Sequence, residues 1–256
     1  MVEVYDESWQ DALEASAPWQ ELQNNFHMHS KVYLSRGSFG HVYWLQKKHS
    51  TSQPQALKVV KFHGADMPAM WAQELHIHHT LNSHPNIVAL HGSFLHNPDV
   101  GPTQFGLLLE LCDRDLFTFF KQYTTIDIYD ATLWTRDICT GLGHMHDCSI
   151  MHRDLTPRNC LLCHHAGKNM QLKISDFGAS CFLAPNNSQK EAWPLQGPRV
   201  HSQSLALSRT TYNYAAPEVI NHQAYSFPAD VWSTGIILWQ MLQDNAHIAA
   251  VSFNDS

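Results

Sequence analysis

The chain has 256 residues, 44% hydrophobic and 15% charged, a globular balance rather than a disordered one. Its formal net charge of −7 weighs against nucleic acid or an anionic membrane surface as the main partner. No apolar run approaches the roughly 18 residues needed to cross a bilayer.

The start, Met1 to Glu7, is acidic and lacks the basic and apolar regions of a secretory signal. Six scattered cysteines (Cys112, Cys139, Cys148, Cys160, Cys163, Cys181) read as thiols of a reducing, cytoplasmic compartment rather than a disulfide framework. Residues 1–29 form an extension: Ser8-x-x-Asp11 resembles a helix start, and Trp9 with Leu13, then Trp19 with Leu22 and Phe26, have helical spacing broken by Pro18. A docking segment and a partly ordered leader both fit it. Lys31 to Leu34 then alternates into Ser35-Arg36-Gly37-Ser38-Phe39-Gly40-His41-Val42-Tyr43, which reads as strand, glycine-bearing turn, strand. Glycines let a backbone fold over phosphates with no Cβ in the way, although the same spacing serves an ordinary hairpin turn.

Gln55 to Val60 is a strand pattern carrying Lys58, and Trp71 to Leu81 has helical periodicity around Glu74. His76, His78 and His79 cluster there, but no cysteine or carboxylate stands at a zinc spacing, so no metal is assigned. Phe105 to Cys112 is an apolar run ending in a polar residue, as in a buried strand leading to a linker. Asp113 to Leu116 opens a helix, Ile128 to His146 forms a long one, and Ile150-Met151 is a short strand. Next comes His152-Arg153-Asp154-Leu155-Thr156-Pro157-Arg158-Asn159, then a hairpin of Cys160 to Cys163 and Leu172 to Ser175, then Asp176-Phe177-Gly178. Cys160-x-x-Cys163 followed by two histidines suggests zinc, yet alternation along a strand opposes the two thiols and argues against it. Two carboxylates and an amide in this order suit phosphoryl transfer. One carboxylate faces the acceptor hydroxyl, while the other joins the amide oxygen in holding Mg²⁺, a small hard cation.

These motifs, in this order over residues 30–242, resemble the eukaryotic protein kinases. The resemblance implies an α+β, two-lobed fold: a small antiparallel sheet with one helix, and a mainly helical larger lobe. The implied divisions are an extension at 1–29, a small lobe at 30–110, a large lobe at 111–243 cut short after its central helix, and a tail at 244–256. ATP and Mg²⁺ are the implied cofactors, a protein the substrate, and an upstream kinase a partner. Leu34, Ser35, Gly37 and Gly40 fall in the loop over the phosphates, with Ser35 in the first glycine's place. Val42 and Ala56 would roof the adenine, Leu161 floor it, Leu109 stand as gatekeeper, and the backbones of Glu110 and Cys112 bond its edge. Lys58 would grip the α- and β-phosphates and Glu74 would orient it. His78 replaces an apolar residue expected near Phe177, leaving open a pH-sensitive contact or a structural histidine.

By the same resemblance Asp154 is the catalytic base or hydroxyl-orienting carboxylate, and Asn159 and Asp176 are Mg²⁺ ligands. Arg153 would clamp a phosphorylated activation segment. Thr156 replaces the lysine usual in serine/threonine kinases, and Arg158 is placed to supply the lost charge, as in tyrosine kinases and in the tyrosine-kinase-like group. The activation segment, 176–218, carries a Pro- and Ser-rich insertion near 184–205. Ser204 or Ser208 is the expected phosphosite and Thr211 a structural hydroxyl, with Thr211-x-x-Tyr214-x-Ala216-Pro217-Glu218 of the serine/threonine form. Asp230, on the helix running from Ala229 to Trp239, would hold the catalytic-loop backbone. An uncovered face on that helix would be an apolar patch. ATP-dependent phosphorylation of protein Ser/Thr is the leading expectation. A catalytically weak pseudokinase that binds nucleotide or acts as a scaffold, and a tyrosine-directed kinase, remain alternatives.

Overall fold

The computed structural model describes residues 17–36, 41–51, 53–61, 67–96, 103–123, 125–164, 169–183 and 212–243. The chain is α+β and divides into two compact units, one taking residues up to 82 with 89–111, the other 83–88 with 112 onward. Among the described residues no helix is long and apolar enough to cross a membrane.

The first unit contains β1 (Ala17–Pro18), α1 (Trp19–Asn25), β2 (Phe26–Arg36), β3 (His41–Lys47), β4 (Gln55–Lys61), α2 (Met67–Leu81), β5 (Leu90–His96) and β6 (Gln104–Glu110). Its six strands run in the order β1-β5-β6-β4-β3-β2, antiparallel except for the β1–β5 pair. Alternation gives the two faces different work. Leu57 and Val59 of β4 point into a cluster with Trp19, Leu22 and Phe26, whereas Val60 joins Trp71 and Leu75 of α2 on the other face.

The sheet therefore reaches further toward the N-terminus than the alternation at Lys31 to Leu34 predicts. The physical reason is the apolar face that would otherwise be left open, which α1 covers. Trp19 lies so close that a Cβ added to Gly106 would sit 2.9 Å from its ring, so glycine lets the ring approach β6.

The second unit contains β7 (Arg114–Asp115), α3 (Leu116–Gln122), α4 (Ile128–Asp147), β8 (Ile150–Met151), β9 (Cys160–Cys163), β10 (Gln171–Ile174), β11 (Cys181–Phe182), α5 (Pro217–Ile220) and α6 (Pro228–Leu242). Two small sheets, β10-β9-β7 and β11-β8, lie among the helices. Asp115 begins α3 by accepting Thr118 N–H at 2.6 Å, and Asp127 begins α4 by accepting Tyr129 N–H at 2.8 Å. α4 is fastened to β10 where the Asp137 carboxylate accepts Leu172 N–H at 3.1 Å, while Asn86 donates to the Leu172 carbonyl at 3.0 Å.

Gly141 permits that approach. A Cβ there would lie 2.9 Å from the Asn86 carbonyl and 2.9 Å from Ile174 Cδ1, while one on Gly143 would meet nothing within 4 Å. Gly141→Ala should therefore lower stability by about 1–3 kcal/mol through overpacking. Gly143→Ala on the same helix should raise it by up to ~1 kcal/mol through helix propensity. Urea unfolding of the pair checks both signs.

One finding differs from the sequence reading. Cys112 and Cys163, expected as free thiols, form a disulfide between residues 51 apart, because β7 pairs with β9 and the chain just before β7 is brought alongside Cys163, with Cα atoms 4.4 Å apart. Cys139, Cys148, Cys160 and Cys181 remain free. Closing a loop of that length contributes about 4 kcal/mol by chain entropy. Reduction should accordingly lower the midpoint of thermal unfolding by several degrees, with two additional cysteines alkylated by mass spectrometry. α6 presents the apolar patch that the sequence reading expects of an uncovered face on this helix. It buries Asp230, Ser233, Thr234, Ile237 and Met241 but leaves Val231, Trp232, Trp239 and Leu242 exposed.

Candidate active site

Each unit carries its own set of candidate residues. In the first, the register places Val42 and Leu107 opposite Lys58, and Trp44 and Leu109 opposite Ala56. Cross-strand partners and i, i+2 neighbours share a face, so Val42, Ala56, Lys58 and Leu109 all project from one side of the sheet. Glu74 of α2 meets them there, accepting from Lys58 Nζ at 2.7 Å. The pair is buried, with side-chain exposures of 10% and 2%, and the ammonium also stands 5.3 Å from the Trp71 ring centroid. Burial changes its weight. An exposed pair contributes little, whereas removing one partner of a buried pair strands a charge. His78, on the same helix, is buried. Glu110 ends β6 with its carboxylate accepting Ala89 N–H at 3.2 Å. Leu34 and Ser35 lie in β2, and Gly37 and Gly40 lie outside the described residues.

In the second unit the loop 152–159 is held from three sides. Arg153 takes a left-handed φ of 69°, and His152 and Arg153 donate their N–H groups to the two Asp230 oxygens at 3.0 and 2.9 Å. His146 Nε2 lies 2.9 Å from the same carboxylate. His152 Nε2 faces the Ser175 carbonyl at 3.1 Å, and its Nδ1 accepts Asp154 N–H at 3.3 Å. A carbonyl can only accept, so the Ser175 contact calls for a proton on Nε2. Phe177 is buried with its ring edge-on to this imidazole.

Asn159 ties the loop to the next strand. Its Nδ2 donates to the Asp154 carbonyl at 2.7 Å and to Asp154 Oδ2 at 3.1 Å, while its own carbonyl accepts Ser175 N–H at 2.9 Å. Ser175 directly precedes Asp176, whose φ is 64° and whose Oδ1 accepts Gly178 N–H at 3.4 Å. Asp154 and Asn159 are thus in direct contact, and Asp176 follows the residue bonded to Asn159. Because the amide nitrogen faces Asp154, its oxygen is turned away from that carboxylate. An amide oxygen with the Asp176 carboxylate makes a hard donor set that suits Mg²⁺.

Other expected residues are placed as follows. Thr156 is buried and its carbonyl accepts Asn159 N–H at 2.9 Å. Leu161 lies in β9, and Cys112 is held by its disulfide. The Arg158 guanidinium lies 3.9 Å over the Phe117 ring. Arg153 keeps its charge more firmly than usual. Burial opposes this, but the Cys181 thiol and Tyr225 hydroxyl beside it outweigh burial. Tyr214 donates to Gln240 Oε1 at 2.8 Å, and burial, its main influence, pushes its pKa to about 12. Ser204, Ser208, Thr211, the insertion and the tail lie outside the described residues. Sequence reasoning missed His146 and Phe117. A histidine four residues before Ile150 and an aromatic residue after Leu116 carry no local signal of an Asp230 or Arg158 contact.

Asp230 also sets a pH dependence. Burial alone would raise its pKa, but the hydrogen bond from His146, the nearby His152 and the two loop amides outweigh this and hold it below the ordinary value of 3.8. Its contribution to stability is therefore present above that value and is lost as pH falls through the lower folded value. Asp230→Asn should cost roughly 1.5–3 kcal/mol at pH 7, from the hydrogen bonds to a charged acceptor. The difference from the parent protein should shrink as the pH falls below about 4, read by denaturant unfolding at each pH.

A family model described as Protein kinase domain matches residues 28–254. Human Myosin light chain kinase 3 is 32% identical over 213 residues, covering 82% of this chain and 23% of that protein. Serine/threonine-protein kinase plk-2 of Caenorhabditis elegans is 33% identical over 218 residues, 82% of this chain and 30% of its own. The mouse protein named Inactive serine/threonine-protein kinase PLK5 is 30% identical over 226 residues, covering 87% and 34%. The chain thus spans between 23% and 34% of the length of these curated relatives.

Proposed function

Because the chain belongs to the protein kinase domain family, we propose that it transfers the γ-phosphoryl group of ATP to Ser or Thr hydroxyls of a protein, with Mg²⁺ as cofactor. The observation that carries this reading is the Asp154–Asn159 contact at 2.7 and 3.1 Å, with Asp176 fastened one residue beyond Ser175. Asp154 accepts and orients the acceptor hydroxyl for in-line attack, so positioning contributes more than proton abstraction. Lys58, held by Glu74, lies against the α- and β-phosphates. Asn159 Oδ1 and Asp176 are the residues that would hold Mg²⁺, which when bound neutralises charge developing on the phosphate oxygens. Val42, Ala56, Leu109 and Leu161 bound the adenine with the Glu110 and Cys112 backbones, while Leu34, Ser35, Gly37 and Gly40 belong to the phosphate loop. Serine/threonine preference is supported by similarity to plk-2 of Caenorhabditis elegans, named a serine/threonine-protein kinase.

A second reading, a pseudokinase that binds nucleotide without turning it over, is favoured by similarity to a relative named inactive and by Thr156 standing where a lysine is expected. Incubation with Mg²⁺, labelled ATP and a generic protein acceptor, followed by phosphoamino-acid analysis, separates the readings. Labelled phosphoserine or phosphothreonine supports transfer. Nucleotide-induced thermal stabilisation without label supports the pseudokinase.

A further inference from the structure

Resting on the proposed kinase reading, we infer that the Arg158–Phe117–Lys121 cluster selects acceptor segments bearing an anionic side chain, carboxylate or phosphate, within about four residues of the accepted hydroxyl. Arg158 and Lys121 are both exposed and lie over one ring, the guanidinium 3.9 Å and Lys121 Nζ 4.6 Å from the Phe117 centroid. Since both distances run to the same point, the charges are closer together than ~10 Å, the Debye length at 0.1 M salt. They repel one another, and neither forms an ion pair with a carboxylate among the described residues. A ring can orient such cations but contributes little to each when exposed, and leaves the doubly positive patch unneutralised.

The neighbouring acids are committed elsewhere. Asp115 caps α3 through Thr118 N–H and hydroxyl, and Asp113 accepts His164 N–H at 2.6 Å. Arg114, which opens β7 ahead of the same helix, has the neutral Gln122 amide for a partner and adds a third positive charge with no ion pair among the described residues. This concentration of cations stands out in a chain with net charge −7. An anion approaching the ring relieves the repulsion between two cations at once, and a guanidinium can grip carboxylate or phosphate with two parallel bonds.

The patch is fixed relative to Asp154. Phe117 N–H donates to the Pro157 carbonyl at 3.2 Å, so the first turn of α3 is clamped to the loop that carries Asp154. Arg158 is four residues beyond Asp154 in that loop. A chain advances at most ~3.3–3.6 Å per residue, so an extended acceptor covers the backbone span from Asp154 to Arg158 in about four residues or fewer. The ring contact also draws the guanidinium toward α3, in contrast to the expectation that Arg158 serves the moving phosphoryl group.

The test uses Ser peptides that differ at one position at a time, carrying Asp, phosphoserine or Asn at each of the four places on either side. kcat and KM are measured for the parent chain, Arg158→Lys, Arg158→Gln and Arg158→Glu/Lys121→Glu, with thermal unfolding as the check on folding. At one position the parent should prefer the anionic peptide over Asn by fivefold or more in kcat/KM, mainly through KM, as expected of two exposed charge pairs. Arg158→Lys should keep the preference, Arg158→Gln should reduce it, and the double reversal should abolish or invert it. The Asp and phosphoserine arms show which anion is preferred. No preference in the parent, or one that survives the double reversal, overturns the inference. So does a loss of kcat in Arg158→Gln that is equal for anionic and Asn peptides, since that marks action on the phosphoryl group. Fluorescence anisotropy of labelled Asp and Asn peptides runs in parallel. If no peptide is phosphorylated the kinase reading falls by itself. Binding that favours Asp in the parent and not in the double reversal then upholds this inference, and equal binding of both peptides overturns it.

Discussion

Asp154→Asn should lower kcat for phosphoryl transfer by about 10²–10⁴-fold, the range for losing a positioned acid–base group, while nucleotide-induced thermal stabilisation persists. The substitution is nearly isosteric, and an amide oxygen can still accept from Asn159 Nδ2, which lies 3.1 Å from Asp154 Oδ2. The loop is also held independently by Asp230 and His152, so its path should not depend on the Asp154 charge. What disappears is the anion proposed to face the acceptor hydroxyl. Rapid-quench measurement of a single turnover reads the chemical step directly, free of product release. A variant that turns over as fast as the parent would remove Asp154 from the reaction.

Lys58→Met should act on stability and chemistry together, and the two effects are separable. Lys58 Nζ and Glu74 Oε1 are 2.7 Å apart and buried, so deleting the lysine leaves a carboxylate in the interior without its counter-charge. Breaking one side of a buried pair typically costs 3–5 kcal/mol, which for a chain of this size lowers the unfolding midpoint by roughly 10 °C. Lys58→Met/Glu74→Leu replaces the pair with apolar side chains of similar length and should recover most of that loss, because no stranded charge remains. Transfer should fall at least 10²-fold in both variants, since neither presents a cation to the phosphates. Differential scanning calorimetry beside the transfer assay tests this. If activity returned along with stability in the double variant, Lys58 would be a structural residue and not a phosphate ligand.

The elements around the site were largely legible because period and punctuation are local properties. The alternation of Gln55 to Val60 appears as β4, the helical spacing from Trp71 as α2, and Ile128 to His146 as α4 with a boundary at Asp147. Asp115 and Asp127 are cap residues for the same local reason. Contacts between distant residues were not legible. The sequence leaves Cys112 and Cys163 as two thiols among six, since only the pairing of β7 with β9 brings residues 51 apart together. Trp19 and Leu22 have helical spacing that fits a leader as well as a docked segment, and the uncovered face of the sheet decides which occurs. Arg158 has a motif position but no direction in the sequence. Its direction comes from an aromatic ring on a helix that starts more than 40 residues earlier.

The order of side chains along the chain, by itself, determined which chemistry is on offer: a lysine, two carboxylates and an amide, in a sequence of strands and helices set by residue period. Tertiary structure alone decided how each is held. It put Glu74 against Lys58 out of water, turned the Asn159 amide so that its nitrogen meets Asp154, and set one Asp230 carboxylate beneath two loop amides and a histidine. The division has a physical cause. Propensity and alternation act over a few residues, whereas burial and hydrogen-bond satisfaction depend on which distant segment excludes the water, and that is known only once the chain has closed on itself.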